Sequence, residues 1–243
     1  MMTDDAGAET ARAAAGENRL FYRNLAMDRP QLFAAIMGFN ASANWESNTH
    51  GPGLNNHGAH GLLAQSNRAK GRLYARDDQG FWDFEEESRR MALLDAPTLN
   101  ECILSWGAAF CAPLINKFIL KKDIEILNQD IGRKHLDFAR GKGRFNIGDI
   151  SGIIQVEEPT VPPEKIRALI LKYGMRAHGI CAAAWPGPLQ TIEARRIERH
   201  LPDLFLHMPR LALPPPAHLR AIWFTMKKIL LKEVAPQWTP CFS

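Results

Sequence analysis

The chain has 243 residues and a net charge of +4, and 46% of its residues are hydrophobic. This length is enough to bury a core without disulfide bonds, and the composition is that of an ordinary globular protein. The charge is too low for a dedicated nucleic-acid-binding protein, but acidic proteins and anionic membranes fit it equally well as partners. The four cysteines form no C-x-x-C pair, so we expect isolated reduced thiols.

The N-terminal residues are polar and rich in alanine, and they lack the apolar segment of a signal peptide. No run approaches the roughly 18 apolar residues that a transmembrane helix needs. We therefore expect a cytoplasmic protein that does not span a membrane. Residues 1–26 are predicted to be a disordered leader.

The first predicted helix begins near Met27, where Asp28 serves as a cap, and its apolar stripe ends at Gly38. Residues 41–80 are dense in asparagine, glycine and histidine and show no hydrophobic period. This composition predicts a long loop, which is unusual within a compact domain.

A charged helix is predicted from Glu85 to Leu94, followed by a helix that begins with a Thr98–Glu101 capping box. Pro113 is predicted to start a further helix. Short helices then follow, with Gly132 and Gly141 as C-terminal stops.

The isoleucine-rich segment 145–156 fits either a strand or a short helix, and here we expect irregular structure with one short β element. Beyond it, Pro162, Pro188 and a proline-rich connector precede three more predicted helices. The sequence thus predicts a mainly α fold. One irregular helical domain of short and medium helices covers 27–235, and residues 236–243 form a tail.

No pattern in the chain predicts catalysis, a cofactor or a metal. His50, His57 and His60 cluster in the glycine-rich loop, but their spacing matches no zinc site. The other five histidines, which include His135 and His178, have no visible partners. The G-K-G sequence at 141–143 is not a phosphate loop, and no G-x-S-x-G motif is present, so we expect a non-enzymatic protein.

Segment 117–144 carries most of the excess charge. Its four acids are Asp123, Glu125, Asp130 and Asp137. Its eight cations are Lys117, Lys121, Lys122, Arg133, Lys134, Arg140, Lys142 and Arg144. A solvated mixed face, a protein-binding face and a helix–turn–helix DNA reader all fit this pattern, although the acids interleave.

The last predicted helix has an apolar side and a lysine side. Ile222, Trp223 and Met226 are predicted to face inward and Lys227 and Lys228 outward. The pattern fits a helix lying on a membrane surface, but we favour an ordinary helix packed on the core.

A set of positions between about 27 and 211 follows a characteristic order. These positions are Gly107, Pro113, Leu114, Leu127, Ile131, Gly132, Phe138, Ala139, Tyr173, Gly174, Ala184, Trp185, Pro188, Leu189, Arg195, Leu201 and Pro202, together with Phe39, Asn40, Trp45 and His50 near the front. Their order resembles that of the SctK family of type III secretion proteins, the group similar to YscK and HrpB4. The long loop and the segment 145–156 depart from the family pattern.

The resemblance implies a cytoplasmic adaptor at the cytosolic face of the inner membrane. Such a protein links the ring protein SctD to the SctQ pod, with SctL and the ATPase SctN further in, and it reaches the membrane through protein contacts only. It implies neither a cofactor nor nucleic acid. From charge and the amphipathic helix we select Arg133, Lys134, Arg140, Arg144, Trp223 and Lys227 as candidate interaction residues. The alternative is a DNA-binding regulator that uses segment 117–144.

Overall fold

The computed structural model describes residues 22–47, 81–157, 160–207 and 215–242. These residues form helices and turns, and none of them is in a β-strand. The prediction of a mainly α fold is therefore confirmed. The chain divides into two compact units, Met1–Phe84 and Glu85–Ser243.

In the first unit, residues 22–28 form helix α1 and Pro30–Ser47 form helix α2. Two predicted bounds were wrong here. Helix α1 begins within the expected leader, and helix α2 continues past Gly38 into the expected loop. The rest of the predicted loop, residues 48–80, lies outside the described residues. Leu32 and Ile36 on α2 are buried at helical spacing.

Asn40 joins the end of α2 to the chain that re-enters at Phe81. Its buried amide donates to the Phe81 carbonyl over 2.9 Å and accepts from the Phe81 amide over 2.8 Å. The side chain thus takes the place of a paired backbone segment and satisfies two buried polar groups. Phe84 packs edge-on against both Phe39 and Phe81, so this polar clamp is surrounded by aromatic rings.

The described residues of the second unit form seven further α-helices. They are α3 Ala96–Ile115, α4 Lys121–Phe138, α5 Arg144–Asn146, α6 Ile166–Ala182, α7 Gly187–His200, α8 Pro202–Phe205 and α9 Pro216–Ile229. Two π-helices continue α4 and α9, π1 at Ala139–Gly143 and π2 at Leu230–Val234. Four 3-10 helices complete the described residues of this unit, at Glu87–Leu93, Gly148–Ile150, Pro163–Lys165 and Pro236–Cys241.

Helix α3 is the centre of this unit, and α6 makes the most extensive contact with it. The two helices meet through reciprocal glycines. A Cβ added to Gly107 would lie 1.9 Å from the Ile170 carbonyl oxygen, and one added to Gly174 would lie 2.1 Å from the Ile103 carbonyl oxygen. The backbones therefore touch at both points, and any larger residue would push the helices apart.

Helix α3 begins and continues differently from the prediction. Asp95 is its N-cap and accepts a hydrogen bond from the Thr98 amide over 2.8 Å, so the capping box at Thr98 was wrong. The helix also runs through Pro113 to Ile115, where we expected a new start. A proline this close to the C-terminal end interrupts only the last turn, so the apolar packing of the helix outweighs its cost.

The 3-10 helix at Glu87–Leu93 replaces the predicted α-helix over 85–94, and Gly132 ends a helical segment as expected. Gly132 has φ 78° and ψ 152°, a backbone conformation that only glycine adopts readily. Gly141, the second predicted stop, lies instead inside π1.

Segment 145–156 contains no β element, so that expectation was wrong. Its backbone bonds are local turns, such as the one from the Ile150 amide to the Ile147 carbonyl at 3.0 Å. Ile147, Ile150 and Ile154 are buried at spacings of three and four residues. The β-branched residues therefore pack as helical turns against the helices of this unit.

The predicted tail is also ordered. Residues Pro236–Cys241 form a 3-10 helix, and Cys241 and Phe242 are buried. The Arg90 guanidinium donates to the Cys241 carbonyl over 2.9 Å, and the Phe242 ring lies 5.8 Å from that of Trp223. A guanidinium bond and an aromatic contact, neither visible as a local pattern, fix this end of the chain.

Among the described residues, α3 alone is long and apolar enough to cross a membrane. In this structure 78% of its apolar window is buried. A packed core helix meets the same criterion, so the feature is weak evidence for a membrane span.

Candidate protein-interaction surface

At least four of the eight cations in the basic segment 117–144 lie within 4 Å of a carboxylate. Arg133 and Lys121 pair within α4 with Asp137 and Glu125, and Lys134 reaches Glu101 of α3 over 2.7 Å. Lys142 pairs with Glu233 of π2 over 3.2 Å. The segment is therefore largely a solvated face of interleaved cations and acids, which disfavours contact with an extended DNA backbone.

Arg140 and Arg144 are the exceptions among the four predicted cations. Both are exposed, and neither makes an ion pair with any residue that the structure describes. Phe145 follows directly and is 81% exposed, the most exposed aromatic ring among the described residues. We name these three side chains the basic–aromatic patch.

The winding of π1 places the patch on one face. In a π-helix the backbone bonds join residues five apart, so the positions four and five residues after Arg140 return to its side of the helix. Ala139 and Gly143, which are also four residues apart, are buried. A Cβ on Gly143 would lie 3.3 Å from the Ala109 Cα, so π1 sits directly on α3 and turns the arginines to solvent.

The two predicted residues on α9 serve the interior of the unit. Lys227 pairs with Glu87 over 2.7 Å, and Trp223 is half-buried against Phe242. Within the described residues, no ion pair or ring contact joins Trp223 or Lys227 to the four predicted cations Arg133, Lys134, Arg140 and Arg144. The inward face of α9 is otherwise as predicted, since Ile222 and Met226 are buried.

A pocket of about 390 Å³ lies beside π1. Its lining includes Ser105, Lys134, His135, Lys142 and Glu233. Both signs of charge line it, and Lys142 and Glu233 are paired with each other. The pocket therefore shows no single charge that would select a ligand.

His135 has a partner that the sequence did not reveal. Its Nδ1 lies 2.9 Å from the Ile131 carbonyl oxygen, which requires the proton on Nδ1. Its Nε2 lies 3.5 Å from a Glu101 carboxylate oxygen. The side chain is buried between α4 and the Glu101 carboxylate of α3.

His178 lies in a second polar cluster, which is buried. Its Nε2 is 3.1 Å from Glu193 Oε1, and Arg196 pairs with the other carboxylate oxygen over 2.7 Å. Arg196 also donates to the Leu94 carbonyl, while the Trp185 ring lies edge-on to the imidazole. The cluster thus ties α6 and α7 to the start of α3.

Burial alone would raise the pKa of the Glu193 carboxyl, but Arg196 and the hydrogen bond with His178 outweigh it and lower that pKa. The carboxylate is therefore charged and paired at neutral pH. A carboxylate held by an arginine in the interior has a structural role, and no nucleophile lies among its recorded contacts.

All four cysteines are buried free thiols, as predicted. Burial raises the pKa of Cys181 to about 12 and also raises the pKa of Cys102. The pKa of Cys241 is raised by burial as well, against the lowering effect of Arg90. These three thiols are thus protonated at neutral pH and behave as small apolar side chains.

Within the described ranges, no group of three or more histidine, cysteine, aspartate or glutamate side chains is placed to hold a metal ion. His50, His57 and His60 lie outside the described residues, so the interpretation of that cluster stays a prediction.

No protein-family model matches the chain, and searches of curated proteins and of solved structures give no match either.

The charge pattern of the sequence indicates the arginines of the patch but not its aromatic residue. Phe145 directly precedes an isoleucine-rich segment, so the sequence pattern gives it no separate role. Ile119 and Leu120, an exposed pair in the turn between α3 and α4, were missed as well. A signal for that pair was present in the sequence, since Leu120 precedes two lysines at the start of a helix, where a polar cap is usual.

Proposed function

We propose that this chain is a non-enzymatic adaptor of a type III secretion apparatus, linking the inner-membrane ring protein SctD to the SctQ pod at the cytosolic face of the membrane. The observation that carries the proposal is the basic–aromatic patch. Two exposed arginines that make no ion pair within the described part of the chain, beside an exposed phenylalanine, are typical of a protein-binding surface, in which aromatic and arginine residues are enriched.

The positions behind the family resemblance support the proposal in a second way. Gly107 and Gly174 lie where α3 and α6 touch backbone to backbone, and Gly132 has a conformation that favours glycine. Asn40 makes the two-way clamp to Phe81. These residue types are required by the packing, so they are the ones expected to recur in proteins of the same architecture.

The chemistry of the patch indicates an acidic partner surface with an apolar recess. Arginine forms bidentate bonds with carboxylates and stacks on flat groups, and Phe145 would be desolvated at the centre of the contact. Charge complementarity of this kind accelerates association and sets specificity. We therefore expect one of the two partners to present carboxylates around an apolar pocket.

The test is a pull-down of tagged chain from secreting cells, probed for the SctD and SctQ homologues. We expect both in the eluate of the wild type. Arg140→Glu with Arg144→Glu, and separately Phe145→Ser, should remove one partner and retain the other. Arg133→Glu is the matched control, because Arg133 is equally exposed on the same segment but already neutralised by Asp137.

Loss of neither partner in the patch variants would rule out the patch as the docking site. Absence of both partners from the wild-type eluate would contradict the adaptor role itself. Co-purification of DNA instead, with affinity that falls steeply as salt rises, would favour the DNA-binding alternative.

A further inference from the structure

The turn between α3 and α4 exposes two large aliphatic side chains next to each other. Ile119 is 78% exposed and Leu120 is 63% exposed, although both lie in a well-bonded turn. The Lys117 and Phe118 amides bond to the Leu114 and Ile115 carbonyls at 3.0 and 3.2 Å. The pair is therefore held outward by a closed turn.

Lysines flank the pair on both sides. Lys117 precedes it, Lys121 and Lys122 follow it, and all three are exposed. Lys121 has 90% of its side chain in solvent and only a 3.8 Å contact to Glu125. We name residues 117–122 the lysine–aliphatic turn.

Local structure does not account for these residue types. Leu120 is the N-cap of α4 and makes no side-chain cap bond, where serine, threonine, asparagine or aspartate would stabilise the helix. Lys121 and Lys122 in the first turn oppose the helix dipole, and only Asp123 in that turn favours it. Residue types that weaken the end of a helix and expose apolar surface are expected at positions where function requires those residues.

We propose that the lysine–aliphatic turn inserts into the interface of an anionic lipid bilayer. Aliphatic side chains enter the boundary between headgroups and acyl chains, while lysines around them pair with anionic headgroups. A narrow projecting turn needs no complementary pocket when its partner is a bilayer, whereas a protein partner would have to supply one.

The proposal does not depend on the adaptor role, and the two fail separately. It adds direct membrane contact to a chain for which we expected membrane association through protein contacts only. The basic–aromatic patch consists of other residues, so loss of partner binding and loss of lipid binding can be measured independently with separate variants.

The experiment is co-sedimentation of the purified full chain with vesicles of mixed phosphatidylglycerol and phosphatidylcholine, and with vesicles of phosphatidylcholine alone. We expect binding to the anionic vesicles only, weakened by added salt. Ile119→Ser with Leu120→Ser should weaken binding at least about tenfold, because each side chain loses its favourable transfer from water. Lys121→Gln with Lys122→Gln should weaken it while leaving some binding.

Phe224→Ser is the matched control. Phe224 is 70% exposed on α9, with cations four residues away on either side, Arg220 and Lys228. It therefore tests whether any exposed apolar residue in a basic setting gives the same effect. We expect this variant to bind as the wild type does.

The proposal would be overturned if the wild type failed to bind anionic vesicles, if the serine variant of the turn bound unchanged, or if Phe224→Ser weakened binding to the same degree. Binding to polyglutamate in place of vesicles, lost in the serine variant, would assign the turn to an acidic protein and equally contradict a lipid partner. Circular dichroism of each variant separates lost binding from lost folding.

Discussion

Helices α6 and α4 both pack against α3, but they do so with different chemistry. The α3–α6 contact joins backbone to backbone at Gly107 and Gly174 and leaves no space for another atom. The α3–α4 contact includes a half-exposed ion pair between Lys134 and Glu101. The first contact depends on close packing, and the ion pair in the second is exposed to water. Substitutions of similar size at Gly107 and at Lys134 should therefore change the free energy of unfolding by very different amounts.

The largest effect is expected at the glycine contact. Gly107→Ala should lower the free energy of unfolding by about 3 kcal/mol or more, because the new methyl would overlap the Ile170 carbonyl and the backbone must move. Denaturant titration measures this loss. The control is Gly141→Ala on π1, where a Cβ meets nothing within 4 Å and stability should not fall.

An unchanged unfolding midpoint in Gly107→Ala would show that the two helices do not approach as closely as described. Gly174→Ala gives an independent check, since it probes the same contact from α6.

The next largest effect is expected in the buried cluster. Glu193→Gln removes the charge that compensates Arg196 and weakens two hydrogen bonds, so we expect a loss of about 2 kcal/mol. Glu198→Gln is the control, because Glu198 is exposed on the same helix. Equal stability of the two variants would exclude a structural role for the cluster.

The cluster also predicts how stability depends on pH. The pKa of Glu193 is lowered in the folded protein, so its contribution is fully present above the ordinary carboxyl pKa of about 4.3 and is lost as pH falls below that value. Stability of the wild type should drop across this acidic range more than that of Glu193→Gln. Unfolding curves at a series of acidic pH values measure the difference, and parallel slopes would contradict the assignment.

The smallest effect is expected at the surface pair. Lys134→Gln should change the free energy of unfolding by no more than about 0.5 kcal/mol, because solvent screens an exposed ion pair and its side chains lose freedom in forming it. Thermal melts of this variant beside Gly107→Ala sharpen the comparison. A loss at Lys134 as large as the loss at Gly107 would show that charge carries the α3–α4 contact.

The fold could be predicted from the sequence where its causes are local. Apolar spacing gave α3, α6 and α9, and Gly132 marked a real break. Errors arose where distant contacts decide the structure. Packing carries α3 through Pro113, and the clamp from Asn40 to Phe81 spans 41 residues of sequence.

The candidate surface was predictable only in part for the same reason. Charge density pointed to Arg133, Lys134, Arg140 and Arg144 alike. What separates them is ion pairing, and Lys134 finds its partner 33 residues away on another helix. Exposure of Phe145 likewise depends on the winding of π1 and not on its neighbours in sequence.

The winding of π1 has a consequence for how this segment tolerates changes in length. An α-helix advances about 100° per residue, so with ordinary winding the face of Arg140 would return three and four residues later instead of four and five. A chain with one residue fewer between Arg140 and Arg144, wound as an α-helix, would therefore display the same side chains together. We expect some natural variants of this segment to be one residue shorter and to have an α-helix in place of π1. Such variants would keep the same side chains on the surface although the sequence spacing between them differs.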